Sequence, residues 1–131
     1  MQIIGTHHLA LLTDNFERLR EFYVGLLGLP VIGGFPGRDI IFIGVGETAI
    51  ELVARGERPG AGGGWDHLAL QVADTDAAYA ELSARGVPFH VEPKSFPPEA
   101  PTVRIAFFKD PDGNVLELFQ PLGQRYPAKS G

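Results

Sequence analysis

The chain has 131 residues, no cysteine and a formal net charge of −5. One domain of this length buries roughly two-thirds of the surface its unfolded chain exposes, and the missing cysteine excludes disulfides, thiol catalysis and zinc–thiolate sites. The acidic balance without a basic run speaks against nucleic acid and anionic membrane surfaces as partners.

No stretch is apolar for the ~18 residues of a membrane span. Met1-Gln2-Ile3-Ile4 has no basic region of the kind that opens a signal peptide, so a cytoplasmic protein is expected. The 17 glycines and 11 prolines imply many short connections and a strand-rich fold.

In chain order, Gly5 to Leu12 reads as a strand. A helix follows, with Asp14 or Asn15 as its N-cap and Gly28 as its stop. Phe16, Leu19, Phe22 or Tyr23, and Leu26 give it one apolar face. Three strands are expected near 30–35, 38–44 and 48–54. Gly60-Ala61-Gly62-Gly63-Gly64 reads as a flexible linker. A strand over 67–73 leads to a helix that runs from a cap at Asp74 or Thr75 to Gly86. The last strands are expected near 87–92, 102–109 and 114–120, with a longer loop from Pro93 to Pro101. Asp110-Pro111-Asp112-Gly113 joins the last two as a hairpin turn. The tail from Leu122 to Gly131 is expected to fray or to drape on a partner subunit.

This order is βαβββ, twice, and the sequence repeats with it. His8-Leu9-Ala10-Leu11 recurs as His67-Leu68-Ala69-Leu70, and Ile50-Glu51-Leu52-Val53 as Leu116-Glu117-Leu118-Phe119. The expected organisation is a single α+β domain over 1–131. Its pseudo-symmetric modules span about 3–57 and 65–121, with the linker at 60–64.

Strand side chains alternate between faces. Leu116 and Leu118 share one face, which the helix should cover, and Glu117 points to the other. By the same alternation Glu51, His8 and His67 lie on the face away from the helices, among apolar neighbours. A desolvated carboxylate there costs several kcal/mol unless something compensates. Two imidazoles and two carboxylates form an oxygen/nitrogen site suited to nickel, cobalt, zinc, manganese or iron. His7 should face opposite His8, and His90 has no counterpart in the first half, so both read as bystanders. If Gly113 makes a bulge, Phe107 lies across from Glu117, with Ile105 and Phe119 beside it; otherwise the register slips by one and Arg104 joins that face. Ile40 and Phe42 are the corresponding residues of the first half.

With His8-Leu9-Ala10-Leu11, Phe22-Tyr23-Val24-Gly25-Leu26-Leu27-Gly28-Leu29, Ile50-Glu51-Leu52, His67-Leu68-Ala69-Leu70 and Asp110-Pro111-Asp112-Gly113-Asn114-Val115-Leu116-Glu117-Leu118, the chain resembles the vicinal oxygen chelate superfamily. That group includes glyoxalase I, fosfomycin-resistance enzymes, extradiol dioxygenases, methylmalonyl-CoA epimerase and bleomycin-resistance proteins. The resemblance covers about residues 3–121. It implies paired βαβββ modules forming a curled mixed sheet around a metal cleft, with ligands at His8, Glu51, His67 and Glu117. The two-His, two-Glu set is similar to that of bacterial-type glyoxalase I, which favours nickel or cobalt.

The activity so implied is that of a metal-dependent lyase or isomerase on a small substrate with adjacent oxygens, acting through a metal-stabilised enediolate. Glu117 or Glu51 moves the proton, and Glu117 is the preferred base. The runners-up are a dioxygenase or transferase of the same superfamily and a non-catalytic small-ligand-binding protein. Substrate-lining residues are expected at Phe107, Ile105, Phe119, Phe42 and Ile40. Leu12 stands where glyoxalase I enzymes of this type carry a basic residue, and Arg55 where they carry Asn. Both family residues help hold glutathione, so Arg55 is the substrate-binding candidate and glutathione use is in question. Relatives are commonly homodimers, which makes a second copy the expected protein partner beside the small-molecule substrate.

Overall fold

A computed structural model describes residues 1–60 and 62–129. The expected linker includes Ala61, and the expected loose tail includes Ser130 and Gly131; these three lie outside the described residues. The chain divides into two compact units. The first comprises His8–Asp66 and Tyr126–Gly131, the second Met1–His7 and His67–Arg125.

The first unit begins within β1 (Ile3–Thr13) and continues through a short helix, α1 (Phe16–Arg20), to β2 (Val31–Gly34), β3 (Ile40–Val45) and β4 (Thr48–Ala54). Its strands lie in the order β2-β3-β4-β1. β4 is parallel to β1, with Ala10 opposite Glu51, and antiparallel to β3, with Phe42 opposite Glu51. The order βαβββ recurs in the second unit as β5 (Gly64–Val72), α2 (Thr75–Ala84), β6 (Phe89–Phe96), β7 (Val103–Lys109) and β8 (Val115–Pro121). These strands lie in the order β5-β8-β7-β6. No helix among the described residues is long and apolar enough to cross a membrane.

Each helix covers one face of the strands of its own unit. Leu11, Ile41, Ile43 and Leu52 form the core under α1, and Val72, Ala78, Ala106, Phe108 and Leu118 the core under α2. Asp74 caps α2 by accepting from the Ala77 N–H at 3.0 Å. Gly86 ends that helix at φ +89°, a conformation glycine adopts without a Cβ penalty.

Three expectations need correction. The first helix becomes π-helical over Glu21–Leu26, with the Leu27 N–H bonded five residues back to Phe22. The extra residue per turn rotates the apolar stripe. Tyr23 and Val24 therefore face the core with Phe16 and Leu19, whereas Phe22 and Leu26 are exposed. The stretch expected to be a loop from Pro93 is strand as far as Phe96. β6 is an edge strand with irregular register between Val91 and Lys94, and such a position has no need of the N–H that Pro93 lacks. The tail, finally, is seated on its own chain. Tyr126 packs on Phe42 and the Gly34 N–H donates to the Pro127 carbonyl.

Candidate functional site

The β-strand alternation puts the four predicted polar residues on the helix-free faces. In the first unit, His8 and Glu51 are 0% and 8% exposed; in the second, His67 and Glu117 are 8% and 4% exposed. His8 Nε2 lies 3.3 Å from Glu51 Oε1, and His67 Nε2 lies 3.0 Å from Glu117 Oε1.

Both pairs are built in the same way. Phe42 is the cross-strand neighbour of Glu51, and its ring meets His8 edge-on with centroids 5.3 Å apart. Phe107 is the cross-strand neighbour of Glu117, and its ring meets His67 edge-on at 5.2 Å. Ile105 pairs with Phe119 across β7 and β8. This is the register expected with Gly113 at positive φ; Arg104 instead pairs with Gln120 and is bound by Asp76. Ile40 lies opposite Val53, next along the same face as Phe42.

Burying a carboxylate beside an imidazole limits what the pair can do. Each needs a compensating charge or a proton shared between the two. Two donors held at about 2.1 Å by one ion stand about 3.0 Å apart at a right angle and about 3.4 Å apart at a tetrahedral angle. The 3.0 and 3.3 Å spacings therefore fit imidazole and carboxylate as neighbouring ligands of a first-row divalent ion. They also suit an imidazolium–carboxylate pair.

Arg55 sits in a single 3₁₀ turn after β4. Its guanidinium grips Asp14, Nε to Oδ1 at 2.7 Å and a terminal nitrogen to Oδ2 at 3.1 Å. Leu12 is buried opposite Val53. His90 is exposed and lies 6.1 Å from the Phe107 ring.

Two features escaped the sequence reading. His7, expected to be a bystander, is fully buried, stacked on Phe119 at 4.0 Å, with Nε2 2.6 Å from the Arg125 carbonyl. That carbonyl only accepts, so Nε2 carries the proton. The other feature is the seating of the tail, whose signal is the Gly33-Gly34 pair in β2. Neither glycine takes positive φ, so each is there for the space it leaves.

The sequence profile of the Glyoxalase/Bleomycin resistance protein/Dioxygenase superfamily matches residues 5–118. A lactoylglutathione lyase of Neisseria meningitidis serogroup A is 31% identical, over 86% of this chain and 88% of that protein. The Bacillus subtilis protein YwkD is 33% identical, over 92% and 99%. Among solved structures, methylmalonyl-CoA epimerase from Mycobacterium tuberculosis superposes with a TM-score of 0.75 at 22% identity, covering 92% of this chain and 90% of that one. That last likeness concerns the fold alone.

Proposed function

Because the chain belongs to the Glyoxalase/Bleomycin resistance protein/Dioxygenase superfamily, we propose that it is a divalent-metal-dependent lyase or isomerase of glyoxalase I type. Its substrate is small and carries oxygens on adjacent carbons. The observation that carries this reading is the repetition, in both units, of a buried His–Glu pair braced by a phenylalanine.

Under this reading His8, Glu51, His67 and Glu117 hold the ion together. Bound there, it supplies Lewis-acid polarisation of the two substrate oxygens. His8 and His67 act as neutral imidazoles through Nε2, the nitrogen each turns toward its carboxylate. Glu117 is the base; one carboxylate oxygen takes a proton from the hydroxyl-bearing carbon beside the substrate carbonyl and returns it to the carbonyl carbon, while the hydroxyl proton passes to the former carbonyl oxygen. Phe107, Ile105 and Phe119 in one unit, and Phe42 and Ile40 in the other, supply apolar walls that keep water from the proton in transit.

The lactoylglutathione lyases among the relatives suggest a hemithioacetal substrate. Leu12 offers glutathione no charge, and Arg55 reaches a substrate carboxylate only by releasing Asp14. A thiol smaller than glutathione is therefore an equal candidate for the carrier. Purified protein loaded with nickel or cobalt is expected to hold a stoichiometric ion by metal analysis, and to convert the methylglyoxal hemithioacetal of glutathione or of a smaller thiol. His8→Ala and His67→Ala should each lose the ion. Full occupancy surviving both substitutions, or no uptake by the unaltered chain, overturns the reading. The second outcome would leave a ligand-binding protein.

A further inference from the structure

The geometry points to Tyr126 as a specificity-determining residue, carried on a C-terminal strap over residues 126–129 that walls the Glu51 face of the first unit. The inference rests on the function proposed above.

The strap has a prepared seat. Gly33 lies opposite Phe42, on the face that Phe42 shares with Glu51. A Cβ at Gly33 would come 2.7 Å from the Pro127 carbonyl oxygen and 3.0 Å from Tyr126 Cβ. One at Gly34 would strike the Lys129 side chain and the Ile40 carbonyl. Gly33 leaves room on the Glu51 face for Tyr126 and Pro127, and Gly34, opposite Ile41, leaves room for Lys129.

Polar contacts then hold the tail down. The Gly34 N–H donates to the Pro127 carbonyl at 2.9 Å. Lys129 Nζ donates to the Phe35 carbonyl at 3.0 Å and the Arg38 carbonyl at 2.5 Å. In the second unit, the residue before the strap is fixed as well: Arg125 donates to Gln71 Oε1 at 2.9 Å and to the Thr6 carbonyl at 2.8 Å. Pro127 is buried by this arrangement.

Tyr126 is what the strap delivers. Its ring lies 5.3 Å from Phe42, and Phe42 lies 5.3 Å from His8. A ring two steps from a candidate ligand, half-buried and held by its own backbone, bounds how large a group fits over Glu51. It does so without touching the reacting carbons, so its effect belongs to substrate size.

The test compares turnover of the methylglyoxal and phenylglyoxal hemithioacetals in nickel-loaded protein. Tyr126→Ala is expected to shift the phenylglyoxal to methylglyoxal ratio of kcat/KM by about tenfold, through KM and with metal content retained. Tyr126→Phe keeps the ring and should keep the ratio, and a chain ending at Arg125 should behave like Tyr126→Ala. An unchanged ratio in an active Tyr126→Ala protein overturns the proposal. If the unaltered protein turns over neither compound, the function reading has failed, and the wall is tested without metal. Diethylpyrocarbonate modification of His8, followed by peptide mass spectrometry, should then run severalfold faster in the shortened chain. An equal rate overturns the wall on its own account.

Discussion

The two units are one design with different outer edges. Each sets a histidine edge-on against a phenylalanine, and that phenylalanine is the cross-strand neighbour of the glutamate the histidine pairs with. In the first unit, Phe42 is fully buried beneath Phe35 and Tyr126. In the second, Phe107 is half-buried, and the exposed His90 stands beside it. The edge strands account for the difference. β2 ends in two glycines that admit the tail, whereas β6 carries side chains throughout and is irregular in register. β6 also borders an open cavity of about 490 Å³ lined by Phe89, His90, Lys109 and Asp110. A duplicated unit thus becomes asymmetric through its margins while its centre is preserved.

The sharpest way to break the resemblance between the centres is to exchange the carboxylates one at a time. With nickel bound, Glu117→Gln is expected to lower kcat by about 10²–10⁴, the usual worth of a positioned general base. Glu51→Gln should act mainly on metal affinity. Equal losses of kcat at full occupancy would show that the two glutamates share the proton transfer. A second comparison sharpens the contrast of the margins, in metal-free protein. Phe42→Ala should cost about 3–5 kcal/mol in urea unfolding, since it opens a cavity in a fully packed site. Phe107→Ala, already half open to solvent, should cost about 1–2 kcal/mol. Equal costs would mean that the strap adds nothing to packing over Phe42.

How much of this was legible in the sequence follows the same division. The centres were legible because strand alternation is strict: once Leu116 and Leu118 are assigned to the helix side, Glu117 has one place to go. The recurrence of His-Leu-Ala-Leu then locates the partner histidines. The register of β7 against β8 was legible only as two alternatives, and Gly113 at positive φ decides for Phe107 against Glu117. The margins were not legible, because they depend on what each residue meets in three dimensions. Pro93 reads as a strand breaker until β6 proves to be an edge. Gly33 and Gly34 read as part of a strand, and nothing in the sequence alone says that the tail lies on them. The π-helical turn moved Leu26 off a face that 3.6-residue spacing had assigned to it. His7 became a buried hydrogen-bond donor because the Arg125 carbonyl comes back to it from the far end of the chain.

The smallest expected effect concerns the turns that pair the last two strands of each unit. Gly46 and Glu47 join β3 to β4 with Gly46 at positive φ, and Glu47 is exposed. The β7–β8 turn is instead wrapped around Asp110. Its Oδ1 accepts from the Asp112 and Asn114 N–H groups, each at 2.9 Å, and its Oδ2 from Asn114 Nδ2 at 2.8 Å. The Asn114 side-chain hydrogen bond, helped by the backbone donors, holds this carboxyl below the ordinary aspartate value. A carboxyl depressed in the folded state stabilises above its unfolded pKa of about 3.9 and loses that contribution as pH falls through the folded value. Asp110→Ala is therefore expected to lower the Tm at pH 7, with the difference from the unaltered protein shrinking below about pH 4. Glu47→Gln should leave the Tm near its original value at both pH values. A Tm difference for Asp110→Ala that stayed constant from pH 7 into acid would assign the turn's stability to its backbone and Gly113. The carboxylate would then have no part in setting the register that faces Phe107 to Glu117.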